Sequence, residues 1–308
     1  MVSEKTKRAV LLLAFGGPES MESVEPFVKN VLKGRPVGEE ILNKAKERYR
    51  LIGGKSPLLD ITNAQARALE ERLRKNGFDY KVYVGMRYWD PFIRETVRKM
   101  NGDGVQEAAA IVMSPFSTIV ATGGYEKEVD EARKELGGGP RMEYLADWHI
   151  NPAFLDIIIE RLKAELKAFK DPAECLVIFS NHSLPLMAIE GDPYEMKIRQ
   201  TVDEITRRLP VDHRIAFQSA GSGPREWLGP RTEDVIPEAR AMGKKGVIVV
   251  PLGFVADHVE TLYDIDILFK DIAAKNGLAF RRTPSINTDE KFTGLIAGIV
   301  KKQYQWKR

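Results

Sequence analysis

Two short stretches of this chain hold the side-chain types that move protons and divalent cations. His182 follows the apolar run CLVIFSN and precedes Ser183, Leu184 and Pro185, so it emerges where a buried strand gives way to a turn. The second stretch is GFVADHVETLYDID, residues 253–266. In it Asp257, Glu260 and Asp264 recur at i, i+3 and i+7, one face of a helix, with His258 beside them. An imidazole titrates near neutral pH and serves as proton acceptor or metal ligand. Clustered carboxylates suit a divalent cation that arrives hydrated. Each stretch also has a plainer reading. A lone histidine at a strand end can simply cap or hydrogen-bond, and Asp257 with Glu260 has the Asp-x-x-Glu spacing of a capping box. The box leaves His258 and Asp264 unexplained.

Other signals point less sharply. Gly221-Ser-Gly-Pro follows a strand but lacks the Gly-x-Gly-x-x-Gly of a dinucleotide loop. Asn181-His182-Ser183 lacks the Gly-x-Ser-x-Gly turn of a hydrolase. Gly16-Gly17-Pro18 and Gly53-Gly54 offer backbone able to approach a flat ligand closely. Phe15, Trp89, Phe116 and Trp227 sit near strand ends. Singly they are ordinary core aromatics; together they could line an apolar slot for an aromatic macrocycle.

The elements that must position these residues are legible as apolar runs. Buried parallel strands are predicted at 9–15, 80–86, 108–114, 175–180, 213–219 and 246–252, apolar on consecutive positions because both faces are covered. Helical patterns lie between them near 39–51, 63–75, 124–136, 154–169, 193–208 and 231–242, the second opening after Thr62 as a candidate cap. The second half repeats the first: LLLAFGGP matches LVIFSNHSLP, KVYVGMRYWDP matches RIAFQSAGSGP, and AAIVMSPFST matches VIVVPLGFVAD. A fourth pair, 144–163 against 282–302, closes each half. The expected fold is therefore α/β, with two similar Rossmann-like domains whose parallel sheets are flanked by helices. The expected domains are 1–152 and 153–308, with helix 153–169 and the C-terminal helix bridging the halves. Ligands of such sheets bind beyond the carboxyl ends of the strands, which places the expected active cleft between the domains.

Composition narrows the classes further. At 308 residues, 43% apolar and 30% charged, the chain can bury sizeable cores and is not disordered. Its 47 basic and 44 acidic residues are mixed along the sequence, without the basic stripe that nucleic-acid binding needs. Cys175 stands alone, which excludes an intramolecular disulfide, a Cys-x-x-Cys site and an iron–sulfur cluster, and reads as cytoplasmic. The first fifteen residues read as a strand and not as an export signal. No run approaches the ~18 apolar residues of a spanning helix; peripheral membrane contact and oligomeric state stay open.

Taken in order, AFGGP (14–18), IGGKSPL (52–58), YVGMRYWDPF (83–92), SNHSLP (180–185) with GDPYEMKI (191–198), FQSAGSGPREWLGP (217–230) and GFVADHVETLYDID (253–266) resemble the motifs of the ferrochelatases. The match spans nearly the whole chain. It implies a chelatase-like fold and a lyase that inserts Fe²⁺ into a porphyrin in haem biosynthesis, releasing two protons. His182 and Glu260 would be the central metal-handling and proton-accepting pair, Asp264 a further metal residue, and Asp257 and His258 their support. His182 as first ligand and His182 as base both fit. Porphyrin contacts are expected at Phe15, Arg35, Tyr49, Ser56, Arg87, Ser117, Thr118 and Trp227. Arg35, Arg50, Lys55 and Arg87 could pair with propionates, but the commoner reading of each is a solvated surface charge. Ferrous iron would be a substrate, with no permanently bound cofactor.

Three positions depart from the family pattern. Leu268 stands where related enzymes can carry an acidic residue, Arg87-Tyr88 where some bacterial relatives have Lys-His, and Phe15 where some have an iron-ligating Tyr. Protoporphyrin IX and coproporphyrin III remain alternatives: the 217–230 loop has the length of coproporphyrin-type relatives, whereas MRYWDP looks like the protoporphyrin type. A chelatase loading cobalt or nickel into a small tetrapyrrole, and a two-domain binding protein or haem carrier without catalysis, are the rival readings.

Overall fold

Consecutive Val, Leu, Ile and Ala residues form the strands where both faces of a sheet are covered. In the computed structural model, which describes residues 6–221 and 225–305, β1 (Arg8–Ala14) lies parallel between β2 (Lys81–Met86) and β3 (Glu107–Val112). β4 (Arg141–Leu145) completes the order β2-β1-β3-β4. β5 (Cys175–His182) lies parallel between β6 (His213–Gln218) and β7 (Gly246–Pro251), and β8 (Ala279–Arg282) completes β6-β5-β7-β8. The two orders are the same permutation, so the internal sequence repeat is a repeat of topology. The charged start 1–5 and Ser222, Gly223 and Pro224 of the 217–230 loop lie outside the described residues.

Each sheet belongs to its own unit. The first comprises Met1–Met113, Ala121–Ala146 and Asn287–Arg308, and the second Ser114–Val120 and Asp147–Ile286. The first unit carries helices α1 (Val24–Val31), α2 (Glu39–Leu51), α3 (Leu58–Lys75), α4 (Ile93–Gly102) and α5 (Thr122–Glu135). The second carries α6 (Pro152–Leu166), α7 (Tyr194–Arg208), α8 (Thr232–Ala241), a π-helix (Glu260–Phe269) and α9 (Lys270–Lys275). The final helix, α10 (Glu290–Gln305), returns to the first unit. One core gathers Leu11, Leu13, Ile93, Val97, Met100 and Val129; the other gathers Leu176, Ile178, Val235, Ile236, Val249 and Phe269. Each such side chain, taken fully out of water, contributes about 1.5–3 kcal/mol before chain entropy is set against it.

Two boundaries differ from the sequence reading. The helix expected from residue 63 begins at Leu58, and Thr62 is no cap: it is buried inside α3, its hydroxyl donating to the Leu58 carbonyl at 2.7 Å. The single cut at 152/153 is also replaced by the grouping above. α6 stays with the second unit, and α10 packs against α3, burying Phe292, Leu295, Ile296 and Val300. Sequence duplication marks where the repeat starts, whereas burial of an apolar helix face decides which core that helix joins. Among the described residues no helix is long and apolar enough to cross a membrane.

Candidate active site

The polar ends of three neighbouring strands supply the site. β5 ends on His182, β6 on Gln218 with Ser219 following, and the chain leaving β7 passes Gly253 and His258 before entering the π-helix. His182 Nε2 lies 3.2 Å from Glu260 Oε1, and His258 Nε2 lies 4.0 Å from Glu260 Oε2, so each carboxylate oxygen faces one histidine. The His182 side chain keeps 35% of its surface open and Glu260 24%, enough for a substrate to reach both. The other ring nitrogen of His182, Nδ1, bonds the Ser183 carbonyl, and the Tyr194 hydroxyl donates to the His182 carbonyl at 3.0 Å. A π-helix is rare and concentrates at functional positions. Here it carries Glu260 and Asp264.

The two histidines are pushed in opposite directions. Burial works against charge on His182, but the Glu260 charge and hydrogen bond, the Ser183 carbonyl and the Asp264 charge together outweigh it and hold the ring up at about 9. At neutral pH the resting pair is thus an imidazolium facing a carboxylate. A neutral His182 titrating near the working pH, as its residue type alone suggested, is not the resting state. Burial dominates at His258 and pulls it below the ordinary histidine value, in spite of Glu260 and Asp257.

A second layer fixes these groups. Gln218, fully buried, donates to the Glu260 carbonyl at 2.9 Å and accepts from the Ser180 hydroxyl at 2.7 Å, which in turn lies 3.0 Å from the Thr232 hydroxyl. Ser219 adopts φ +60°, a left-handed conformation unusual for a side-chain-bearing residue, and its hydroxyl donates to Asp264 Oδ2. Sequence reasoning quoted both residues within a motif but gave neither a role. The available signal was a Gln-Ser pair directly after the apolar Ile215-Ala216-Phe217.

The capping positions also fall differently from the expected Asp257–Glu260 box. His258 N–H donates to the Thr261 hydroxyl at 3.0 Å, and Thr261 N–H donates to His258 Nδ1 at 3.3 Å, a reciprocal pair of the same spacing. That leaves the Glu260 carboxylate to the histidines. Asp257 Oδ1 is taken up elsewhere, with the Ser285 hydroxyl at 2.6 Å, Thr261 Oγ1 at 3.0 Å and Arg282 Nη1 at 3.2 Å. Among the described residues no three His, Cys, Asp or Glu side chains form a preformed metal cage, so His182, Glu260 and Asp264 are neighbours and not a closed ligand set.

The remaining expected contacts divide between the units. In the first, Phe15 is exposed and packs its ring 4.6 Å from Tyr88 and 6.3 Å from Phe27, which also meets buried Tyr49 at 6.3 Å. Ser56 is buried against Gly17, where a Cβ would lie 2.5 Å from its hydroxyl. Arg35 is exposed, but the other basic residues expected to meet propionates are paired: Arg50 with Glu47 at 2.7 Å, Lys55 with Asp60 at 3.2 Å and Arg87 with Glu128 at 3.1 Å. Arg87 is further enclosed by the rings of Tyr88 and Tyr125. In the second unit Ser117 is held by Lys197 and Asp147, Thr118 is buried, and Trp227 is half-buried beside Gly221.

Comparison with known proteins agrees with this arrangement. Residues 7–304 match the family model described as Ferrochelatase. The chain is 34% identical over 300 residues to a ferrochelatase of Deinococcus radiodurans, covering 96% of this chain and 95% of the relative. It is 34% identical over 304 residues to a coproporphyrin III ferrochelatase of Halalkalibacterium halodurans, covering 97% and 98%. Its fold resembles SirB from Bacillus subtilis with Fe³⁺, at a TM-score of 0.59 and 12% identity over 96% of this chain and 95% of that one. It also resembles CbiX, a terminal enzyme of sirohaem biosynthesis in denitrifying bacteria, at a TM-score of 0.56 and 13% identity over 96% and 99%. A family model spanning almost every residue, two relatives matched end to end and a shared chelatase fold lead to one statement: the chain belongs to the ferrochelatase family.

Proposed function

We propose that this chain inserts Fe²⁺ into a porphyrin in haem biosynthesis, with release of the two pyrrole protons. The observation that carries the reading is the His182–Glu260 pair, 3.2 Å apart at the polar ends of β5 and the π-helix. A ring that gains a dication must lose two protons, so the site has to handle both kinds of charge. The resting imidazolium–carboxylate pair does this in sequence. A dication drawn to Glu260 opposes the charge on His182 and lowers its proton affinity. That proton leaves to solvent from the partly open site, and the neutral ring can then ligate the metal or take a pyrrole proton and pass it to solvent in turn. His258, pulled below the ordinary histidine value by burial, accepts from Thr261 N–H at Nδ1, so its neutral ring turns Nε2–H toward the other Glu260 oxygen at 4.0 Å and supports that carboxylate as a donor. Asp264 adds negative potential favouring the cation, and Ser219 orients it.

Porphyrin contacts are assigned to Phe15, Tyr49, Ser56, Ser117, Thr118 and Trp227, with exposed Arg35 nearest in chemistry to its propionates and Arg87 available to them only where it gives up Glu128. Iron passes through as substrate, and the reaction needs no resident cofactor. The lone cysteine supports a cytoplasmic setting. Anaerobic mixing with Fe²⁺, or Zn²⁺ as surrogate, and either protoporphyrin IX or coproporphyrin III tests the reading through the visible absorption bands. Metalloporphyrin forming far above the protein-free rate is expected, and the faster porphyrin names the substrate. Tight porphyrin binding without turnover would make the chain a carrier instead.

A further inference from the structure

On the metal-insertion reading, we propose that Arg282 is a positioning residue that sets the orientation of His258 and Glu260 by tying the chain just before them to the later turn of the π-helix. Arg282 ends β8, an edge strand of its sheet, and touches neither histidine; its side chain is only 14% exposed. Its guanidinium forks onto Asp266, Nε to Oδ1 at 2.7 Å and Nη2 to Oδ2 at 2.8 Å. Its third nitrogen, Nη1, reaches Asp257 Oδ1 at 3.2 Å and the Ser285 hydroxyl at 3.1 Å. One cation therefore bridges two carboxylates that flank Glu260 in sequence, one immediately before His258 and the other inside the π-helix.

The bridge is itself anchored. Arg161 of α6 donates to the carbonyls of Pro284 at 2.9 Å and Ser285 at 2.6 Å, fastening the segment that follows Arg282. Rigid support behind, a planar fork in front and partners on both sides of Glu260 describe a brace. Such geometry needs guanidinium: an ammonium is a point donor that cannot hold Asp266 through two parallel bonds and Asp257 through a third. Removing it leaves Asp257 and Asp266 without their shared counter-charge, so the stretch 257–266 reorients. A displacement of about 1 Å at reacting groups costs about 10²-fold in rate.

The test compares Arg282→Met, Arg282→Lys, Asp266→Asn and a neighbouring control, Arg281→Met. Arg281 pairs with Glu165 at 2.7 Å and is half exposed. Zn²⁺ insertion is measured at saturating porphyrin, porphyrin binding by fluorescence quenching and folding by thermal melting. Arg282→Met is expected to lose about 10- to 100-fold in kcat while porphyrin affinity stays within about twofold. Arg282→Lys should fall between it and wild type. Asp266→Asn should fall in the same direction by a smaller factor, and Arg281→Met should keep wild-type kcat. Unchanged kcat in Arg282→Met, a loss confined to porphyrin affinity, or an equal loss in Arg281→Met would overturn the brace. If Arg282→Met does not fold, Asp266→Asn decides, because it keeps volume and one hydrogen bond; wild-type kcat there overturns it as well. Wild-type protein that inserts no metal into either porphyrin fails differently, removing the reading on which the brace rests.

Discussion

β1 and β5 hold the same place in their sheets, each flanked by two parallel neighbours, yet they end in different chemistry. β1 runs into Phe15, Gly16 and Gly17, and β5 ends in Asn181 and His182 with Ser183 following. Gly16 takes φ +93° and sits where a Cβ would come within 3.0 Å of the Trp89 Cβ and backbone nitrogen, so the first unit uses glycine to bring two stretches of backbone together. The neighbours diverge in the same way. β2 leads to Arg87, whose charge is spent on Glu128, whereas β6 leads to Gln218 and Ser219, which hold the π-helix at the Glu260 backbone carbonyl and the Asp264 carboxylate. One topology thus serves twice. The first unit ends its strands in aromatic surface and the second in titratable groups, because strand ends can change without touching the buried runs.

The sharpest way to break this contrast is to exchange effects between equivalent strand ends. His182→Ala should lower kcat by about 10²- to 10⁴-fold, the range of acid–base participation, with porphyrin affinity retained. Phe15→Ala should instead weaken porphyrin binding by about tenfold, the worth of one aromatic contact, and leave kcat near wild type. Steady-state insertion kinetics with a parallel binding titration read both. A large kcat loss from Phe15→Ala would mean that chemistry is shared between the two strand ends.

Next in size are the close approaches that each unit builds from glycine. A Cβ at Gly246, which opens β7, would lie 2.7 Å from the Ala279 carbonyl and 2.6 Å from the Phe169 ring, so Gly246→Ala has backbone to displace. It should cost about 1–3 kcal/mol or more in stability, seen as a lower denaturant midpoint. Gly17→Ala meets only the Ser56 side chain, at 2.5 Å, so its cost should be smaller and Ser56→Gly should restore it. Failure of that rescue would show that the Gly17 backbone itself, and not the approach of Ser56, demands glycine.

A third, smaller pair separates strain from function at Ser219. Ser219→Ala keeps the φ +60° backbone and loses the hydroxyl that orients Asp264; Ser219→Gly loses the hydroxyl and relieves the backbone. Both should drop kcat by about tenfold, the order of a lost second-layer hydrogen bond, while only the glycine variant melts higher than the alanine one. Activity in the glycine variant equal to wild type would assign the residue to backbone shape alone.

These experiments also mark how far the sequence could be read. The strands and their order of repetition were legible, because buried parallel strands are largely apolar and their polar ends stand out; the pairing of His182 with Glu260 came from the resemblance of their motifs to the ferrochelatases and not from the pattern. The start of α3 was not, since Thr62 has a cap's side chain but bonds backward within the helix. Nor were the π-helix, the His258–Thr261 cap and the Arg282 brace. Asp257, Glu260 and Asp264 look alike as letters, and only the partners brought from β5, β6, β8 and the segment after it assign one to the brace, one to the histidines and one to Ser219.

The smallest effect probes the electrostatic contrast between the two histidines around Glu260. His182 is held up at about 9, above the ordinary 6.5, so the stabilisation from its pairing with Glu260 is fully present below pH 6.5 and is lost as pH rises through about 9. His258 is shifted the other way by burial. Glu260→Gln removes the largest influence raising His182 and leaves burial, which lowers it, opposed only by the Ser183 carbonyl and Asp264. The His182 ring should therefore titrate lower by about 1–3 pH units, the span of one close opposite charge. His258 should also fall, but less, because Glu260 is farther from it, at 4.0 Å against 3.2 Å. With only four histidines in the chain, NMR of the ring protons with single-residue assignment resolves both titrations. Equal displacement of the two rings would mean that Glu260 serves them as a shared counter-ion and not chiefly as the partner of His182.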